Sequence, residues 1–295
     1  MKNKTIGFVT NPLLQKVFIA LCVCVYVFQA ITFYEISIPM HLSDVYSDGL
    51  RLSSYFLLVL ESMLLPLVLF VIAFYSIPKN KGSLQRVFES SFFTVMGLLL
   101  QIIIVQIVTI ILDISKNSFD GSTILLPQLI PLLAVVLIYL LALLRYKRMR
   151  LLDSPLAIPP LQKTFIWLAG GAFVSFAVLI IYQIIQQYPS NPNVSAFLLT
   201  SLENFVLPSL LFVVAYITSS KGLLHTNRLF QASLFMVMGV MTLAVIKGLF
   251  HNLVPDISML QNSFRGEVIY EFIVILILMT VYSIAIFYYR NHQAR

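Results

Sequence analysis

Eight apolar stretches, each of roughly 20 residues or more, follow one another along the chain and constrain its fold more than any other feature. They lie at 16–37, 52–77, 86–113, 123–146, 163–188, 195–219, 228–252 and 267–289. A helix needs about 20 apolar residues to cross the hydrocarbon core of a bilayer. Segments such as 98–112 are too continuously apolar for the alternating strands of a membrane barrel. We therefore predict an all-α, polytopic transmembrane bundle of eight helices.

The composition agrees with a chain that is dissolved in lipid. A soluble domain is about half apolar and about a quarter charged, whereas this chain is 59% apolar and 11% charged. Its mean hydropathy is +0.94. The lipid bilayer is therefore the first partner that the sequence predicts.

The basic residues are placed as topology signals. Of the 19 Lys and Arg residues, 15 lie near the two termini or on the connections that follow stretches two, four and six, including the stretch ends that border them. Cytoplasmic connections carry such an excess of positive charge. We predict a multi-pass protein of the cell (inner) membrane with both termini cytoplasmic. The net charge of +7 is explained by topology, and we predict no nucleic-acid partner.

The two halves of the chain resemble each other. When the chain is shifted by 142 residues, positions 54–101 align with 196–243 without a gap, and roughly a third of the pairs are identical. Such self-similarity predicts an internal duplication. Because each copy crosses the membrane an even number of times, the repeats are expected to be parallel. We predict a first four-helix repeat at 1–150 and a second at 151–295.

Ionisable side chains are rare within the apolar stretches, and each is a functional candidate because it is costly in hydrocarbon. Glu61 and Glu203 occupy the same position in the two copies, and polar Ser62 and Asn204 follow them. We predict ligand or ion binding at these four residues. The alternative is that the carboxyl groups only hold helices together.

A proline follows each of these glutamates by five residues. Pro66 and Pro208 lack a backbone N–H and are expected to kink their helices. The kinks would free the carbonyl groups of Ser62 and Asn204. Thr200 adds a hydroxyl group one turn earlier in the second copy alone, and we include it in the candidate site.

Lys247 is the one basic residue well inside an apolar stretch, and its position in the first copy is held by Val105. If helices six and seven form an antiparallel hairpin, the lysine can reach Glu203, and we include Lys247 in the candidate ligand- or ion-binding site. Glu271, which aligns with Gln128, is a competing partner. A chromophore bound to Lys247 as a Schiff base is a much weaker interpretation.

Small and amide residues in the stretches predict packing contacts. Gly97, Gly239 and the Gly170–Gly171 pair are expected to let helices approach closely. Gln106 in stretch three is expected to form a hydrogen bond between helices.

Motifs for other kinds of chemistry are missing from the sequence. There is no P-loop, no G-x-S-x-G and no H-E-x-x-H. The four histidines stand singly, at His41, His225, His251 and His292. We predict no metal and no cofactor, and an enzymatic activity stays open with little in its favour.

One resemblance to known proteins is present. Phe264, Gly266 and Glu267, with Tyr288, Tyr289 and Arg290 at the end of stretch eight, are similar to residues of small four-helix bacterial membrane domains of unassigned function, here present in tandem. The resemblance implies a duplicated helical membrane protein, and it transfers no catalytic or ligand-binding residue.

Two classes of function fit these patterns. The first is a transporter or channel for a proton, a cation or a small solute, with the matched glutamates at the repeat interface. The second is a membrane sensor or an assembly subunit without catalysis, which would bind a membrane-protein partner or form a homo-oligomer.

Overall fold

A computed structural model describes most of the apolar part of the chain. The described ranges are 12–32, 59–78, 82–115, 125–151, 158–187, 201–219, 225–253 and 264–293. Within these ranges nearly every residue is helical and no strand occurs. The predicted all-α class is therefore confirmed.

Eight helices, numbered here in chain order, make up these ranges. They are α1 Pro12–Thr32, α2 Leu65–Ser76, α3 Ser83–Ser115, α4 Leu125–Leu151, α5 Ile158–Gln187, α6 Leu207–Thr218, α7 His225–Leu253 and α8 Phe264–Gln293. A π-helical turn runs directly into α2 at Leu60–Leu64, and another runs into α6 at Leu202–Val206. Each predicted apolar stretch thus contains one helix.

Five of these helices are long and apolar enough to cross a membrane. The candidate spans are Pro12–Ile31, Ser83–Ile111, Pro160–Tyr182, His225–Phe250 and Val268–Tyr289. Leu60–Ser76 and Leu202–Thr218 are shorter apolar helices. Several apolar helices are therefore present, as in an integral membrane protein, while the orientation of the termini stays a prediction.

The chain divides into two compact units. The N unit is Tyr26–Leu161, and the C unit is Gln162–Arg295 together with Met1–Val25. The N unit thus contains α2, α3 and α4, and the C unit contains α6, α7 and α8. Each unit is described separately below.

The N unit is built around a close crossing of α2 and α3. A Cβ atom at Gly97 would lie 2.8 Å from Leu69 Cδ1 and 3.1 Å from the Tyr139 ring, so a larger residue here would force one of these side chains to move. The Tyr139 hydroxyl donates a hydrogen bond of 2.9 Å to the Leu69 carbonyl oxygen. Leu69 is completely buried. These contacts join α2, α3 and α4.

The C unit has a corresponding crossing of α6, α7 and α8. A Cβ atom at Gly239 would lie 2.7 Å from Leu211 Cδ1 and 3.2 Å from the Tyr282 ring. The Tyr282 hydroxyl donates a hydrogen bond of 2.8 Å to the Leu211 carbonyl oxygen. The expected close packing at Gly97 and Gly239 is therefore confirmed. At Gly170 it is wrong, because no atom of the described chain lies within 4 Å of an added Cβ.

Helix α5 adds a fourth helix to the C unit through aromatic contacts. The Phe165 ring lies edge-on to Phe230 of α7, with 5.6 Å between the ring centroids. The Phe173 ring stacks on Phe205 of the second π-helical turn at 5.2 Å. These two contacts, eight residues apart on α5, hold it along the core formed by α6 and α7.

An arginine closes the end of each short helix. Arg86 donates two hydrogen bonds, of 3.1 and 2.7 Å, to the Phe74 carbonyl oxygen and lies 3.9 Å from the Phe74 ring centroid. Arg228 donates one bond of 3.0 Å to the Tyr216 carbonyl oxygen and lies 4.4 Å from that ring centroid. The positive charges thus face the carbonyl groups that the last turn of a helix leaves unpaired.

Candidate functional site

Each of the matched glutamates lies in a π-helical turn. Glu61 is in the turn Leu60–Leu64 and Glu203 is in the turn Leu202–Val206. At the end of each turn a backbone N–H bonds to the carbonyl group five residues earlier, from Leu65 to Leu60 and from Leu207 to Leu202. π-Helical turns are rare and frequently occur at functional sites.

The prolines explain where these turns occur. Pro66 and Pro208 are the second residues of α2 and α6, and neither can donate to a carbonyl group in the preceding turn. The irregularity that we expected as a kink thus takes the form of a wider turn just before each proline. Ser62 and Asn204 both have interaction partners, and a free carbonyl group at either residue stays a prediction.

The C unit contains a cluster of three charged side chains on three elements. Lys247 of α7 donates hydrogen bonds from Nζ to Oε1 of Glu203, before α6, and to Oε1 of Glu271, on α8. The second bond is 2.9 Å long. The side chains of Lys247, Glu203 and Glu271 are 29%, 22% and 10% exposed. Both partners that the sequence offered to Lys247 are thus in contact with it.

The charges in this cluster do not balance. One ammonium group faces two carboxyl groups, so full ionisation leaves one excess negative charge. Glu271 Oε2 is buried without a hydrogen-bond partner. Buried polar atoms are normally paired. The cluster therefore has unused capacity to accept a positively charged group or a proton.

The cluster is far from the basic connection between α6 and α7. Lys247 follows Arg228 by 19 residues on one continuous helix, which is about 28 Å at 1.5 Å per residue. The hydrocarbon core of a bilayer is about 30 Å thick. The three charged side chains therefore lie close to the end of the apolar span that is opposite the basic connection.

The N unit has no corresponding cluster among its described side chains. Glu61 is half-buried, Val105 stands where the C unit has Lys247, and the Gln128 side chain is outside the described part. No hydrogen bond or ion pair joins Glu61 to another described residue. Gln106, which we expected to bond another helix, is buried with its Oε1 atom unpartnered. Thr200 lies outside the described residues.

A second pair of matched contacts was missed in the sequence. Tyr146 donates a hydrogen bond of 3.5 Å to Glu89 Oε2, and Gln231, 142 residues after Glu89, donates one of 3.3 Å to the Tyr289 hydroxyl. Gln85 also donates a bond of 3.2 Å to Glu89. The sequence carried a signal for these contacts, because the 142-residue shift aligns Glu89 with Gln231, and Tyr146 matches Tyr289 after a shift of 143 residues.

Metal chemistry gains no support from the described residues, which contain no group of three or more His, Cys, Asp or Glu side chains arranged to hold an ion. The apolar helices are compatible with an integral membrane protein. No family model, curated protein or solved structure matches the chain. The resemblance to tandem four-helix bacterial membrane domains is therefore carried by the sequence alone.

Proposed function

We propose that the chain is a membrane transporter or channel for a proton or a small cation, and that Glu203, Lys247 and Glu271 form its site in the C unit. The observation that carries this proposal is the sharing of one ammonium group by two carboxyl groups at the end of an apolar bundle. Glu61 is the corresponding carboxyl group of the N unit.

The unequal charge supplies a physical reason for binding. An uncompensated charge costs about 2.5 kcal/mol or more at the centre of a span on insertion scales, and less toward the end of the span, where this cluster lies. A proton or a cation that enters the cluster removes this excess charge. Because Lys247 contacts both carboxyl groups, it can stay paired with one of them while the other exchanges its ligand. The site can therefore load and release without leaving the lysine unpaired.

The proposal includes a duplicated architecture with parallel repeats and cytoplasmic termini. Several structural pairs 142 or 143 residues apart support it. The buried residues of α2 are Leu65, Pro66, Leu69 and Ala73, and those of α6 are Leu207, Pro208, Leu211 and Ala215. The two π-helical turns and the two tyrosine–carbonyl bonds recur with the same spacing. Parallel repeats would be related by an axis along the membrane normal.

Reconstituted liposomes provide the test. The full chain is placed in vesicles that contain a pH-sensitive dye. A potassium diffusion potential drives protons into these vesicles, and the dye reports the flux. Parallel vesicles test whether the chain carries Na⁺ or K⁺. We expect Glu271→Gln and Glu203→Gln to lower the flux by a factor of about ten. The neutral amide of glutamine neither accepts a proton in the physiological pH range nor attracts a cation by its charge. Lys147→Gln, at an exposed position, should leave it unchanged. Equal flux in all four proteins would refute the proposal.

An alternative function is a sensor or an assembly subunit. It is favoured by the way Lys247 bridges three elements of the C unit, because such bonds also serve to hold helices together. In that case the wild-type vesicles carry no flux under any gradient, and the chain is recovered from native membranes in a larger complex. Flux by the purified chain alone argues for transport.

A further inference from the structure

The charged side chain of Lys247 indicates the corresponding position in the N unit at which a cation can bind. We infer that the N unit binds a small monovalent cation at Glu61, in the position that the Lys247 ammonium group fills in the C unit. This inference deepens the proposed function and rests on it for its biological meaning. The binding itself is measured without any flux.

The equivalence of the two positions follows from helix geometry. In the C unit, Gly239 contacts Leu211, and the ion pair lies eight residues further along each antiparallel helix, at Lys247 and Glu203. Both contacts join α7 to the helical segment 202–218. The spacing of eight residues therefore sets the distance along the helices between the ion pair and the contact of Gly239 with Leu211.

The same count applies to the N unit. Gly97 contacts Leu69 in the same way. Eight residues further along each segment are Val105 and Glu61. Because a π-helical turn precedes α2 as it does α6, the count covers the same kind of helix in both units. Glu61 and Val105 therefore lie opposite each other within the N unit, at the positions that correspond to the ion pair of the C unit.

The difference between the units is the loss of the positive charge. Val105 cannot neutralise Glu61, and among the described residues no other side chain pairs with this carboxyl group. A carboxyl group without a counter-charge is costly within a span, and a cation that binds beside it removes this cost.

The lysine also indicates what kind of ligand fits. Its –NH₃⁺ group is a compact charge with three donors, and it reaches Glu271 at 2.9 Å. A free ion that takes this place beside Glu61 must be small and singly charged, such as an ammonium ion or an alkali ion. A carboxylate oxygen accepts a hydrogen bond from the first and attracts the second by its charge.

Infrared spectroscopy of the full chain in lipid nanodiscs tests the inference. Choline chloride is exchanged at constant pH for NH₄Cl, KCl or NaCl, and a separate pH titration is made in choline chloride alone. We expect a shift of a carboxylate band in at least one of the three salts. A change in the pH titration alone, as a carboxylic acid band, would mean that Glu61 is only protonated and would overturn the inference.

Reciprocal substitutions assign the signal to its site. Glu61→Gln should abolish it, and Val105→Lys should also abolish it, since a tethered ammonium group then fills the place. Lys247→Val should add a second signal of the same kind from the C unit. Salt-dependent spectra of Glu61→Gln that equal those of the wild type in all three salts would overturn the inference.

The controls separate this inference from the proposed function. Circular dichroism and size-exclusion profiles show whether each variant is folded, and Glu61→Gln alone decides the question if Val105→Lys is not. If the Glu61 signal is present while Glu203→Gln and Glu271→Gln retain full flux, the N-unit site stands and the proposed C-unit transport site fails. If Glu203→Gln and Glu271→Gln lose flux while no signal is assigned to Glu61, the proposed C-unit transport site stands and the N-unit site fails.

Discussion

Tyr282 and Leu211 are joined by a hydrogen bond of 2.8 Å, from the tyrosine hydroxyl to the leucine carbonyl oxygen, across 71 residues of sequence. Tyr139 and Leu69 are joined in the same way at 2.9 Å across 70 residues. Both bonds are buried. Each ties the last helix of its unit to the short helix that follows a π-helical turn.

Removing either hydroxyl group should weaken its unit. Tyr139→Phe and Tyr282→Phe should each lower the free energy of unfolding by about 1 kcal/mol, as for other hydrogen bonds between helices in membranes. Tyr75→Phe is the control, because Tyr75 is 76% exposed. Thermal unfolding in detergent measures the three variants. A loss of stability in Tyr75→Phe as large as in the buried pair would contradict the assigned role of these bonds.

The glycine crossings should not tolerate a methyl group. Gly97→Ala and Gly239→Ala would bring Cβ within 2.8 and 2.7 Å of a buried leucine methyl group, and overpacking of this kind costs about 1–3 kcal/mol. Gly170→Ala meets no described atom within 4 Å and should be neutral or slightly stabilising because alanine favours helix. Thermal unfolding measures the melting temperatures of the three variants. If Gly97→Ala and Gly239→Ala melt no lower than Gly170→Ala, the crossings are not tightly packed and the prediction is wrong.

The charged cluster should depend most on its single positive member. Lys247→Met leaves two carboxyl groups facing each other and should destabilise the C unit by about 2 kcal/mol, less than for a fully buried pair because the side chains are partly exposed. Glu203→Gln removes the excess charge and should cost less. A double-mutant cycle measured by thermal unfolding gives their coupling. An additive double variant would show that the two residues do not interact.

The two arginines should respond differently to replacement by lysine. Arg86 donates two hydrogen bonds to the Phe74 carbonyl oxygen. Arg228 donates only one to the Tyr216 carbonyl oxygen, and the buried Nε atom of Arg228 has no partner. Lysine provides a point charge without the planar fork. Arg86→Lys should therefore cost about 1 kcal/mol, and Arg228→Lys less. Equal melting temperatures for the two variants would count against this reading of the contacts.

Much of the fold follows from apolar length and charge placement. Lipid forces the backbone to satisfy its own hydrogen bonds, so long apolar stretches predicted helices where the structure has them. The position of Lys247 near Glu203 was also accessible, because the hairpin of α6 and α7 brings those two positions together. These predictions succeed because they depend on local composition and on counting residues along helices.

Other features were hidden because they depend on side-chain packing. Pro66 and Pro208 indicate a lost donor, but a kink and a π-helical turn both accommodate that loss, and packing selects between them. Gly170 and Gly97 are both glycines within an apolar stretch. Of these two, Gly97 faces a buried leucine and Gly170 does not. The tyrosine bonds to Leu69 and Leu211 join helices some 70 residues apart, beyond the reach of local patterns.

The two π-helical turns also bear on the history of the chain. A π-helical turn holds one residue more than the α-helical geometry around it would require, and such an extra residue enters a gene as a single insertion. Glu61 and Glu203 sit at the same place in their turns. Under the duplication that we propose, one insertion in a single-copy ancestor accounts for both turns. The ancestral four-helix protein would then have carried the widened helix and its glutamate before the gene doubled. After the doubling, either the second copy gained Lys247 or the first copy lost the corresponding lysine.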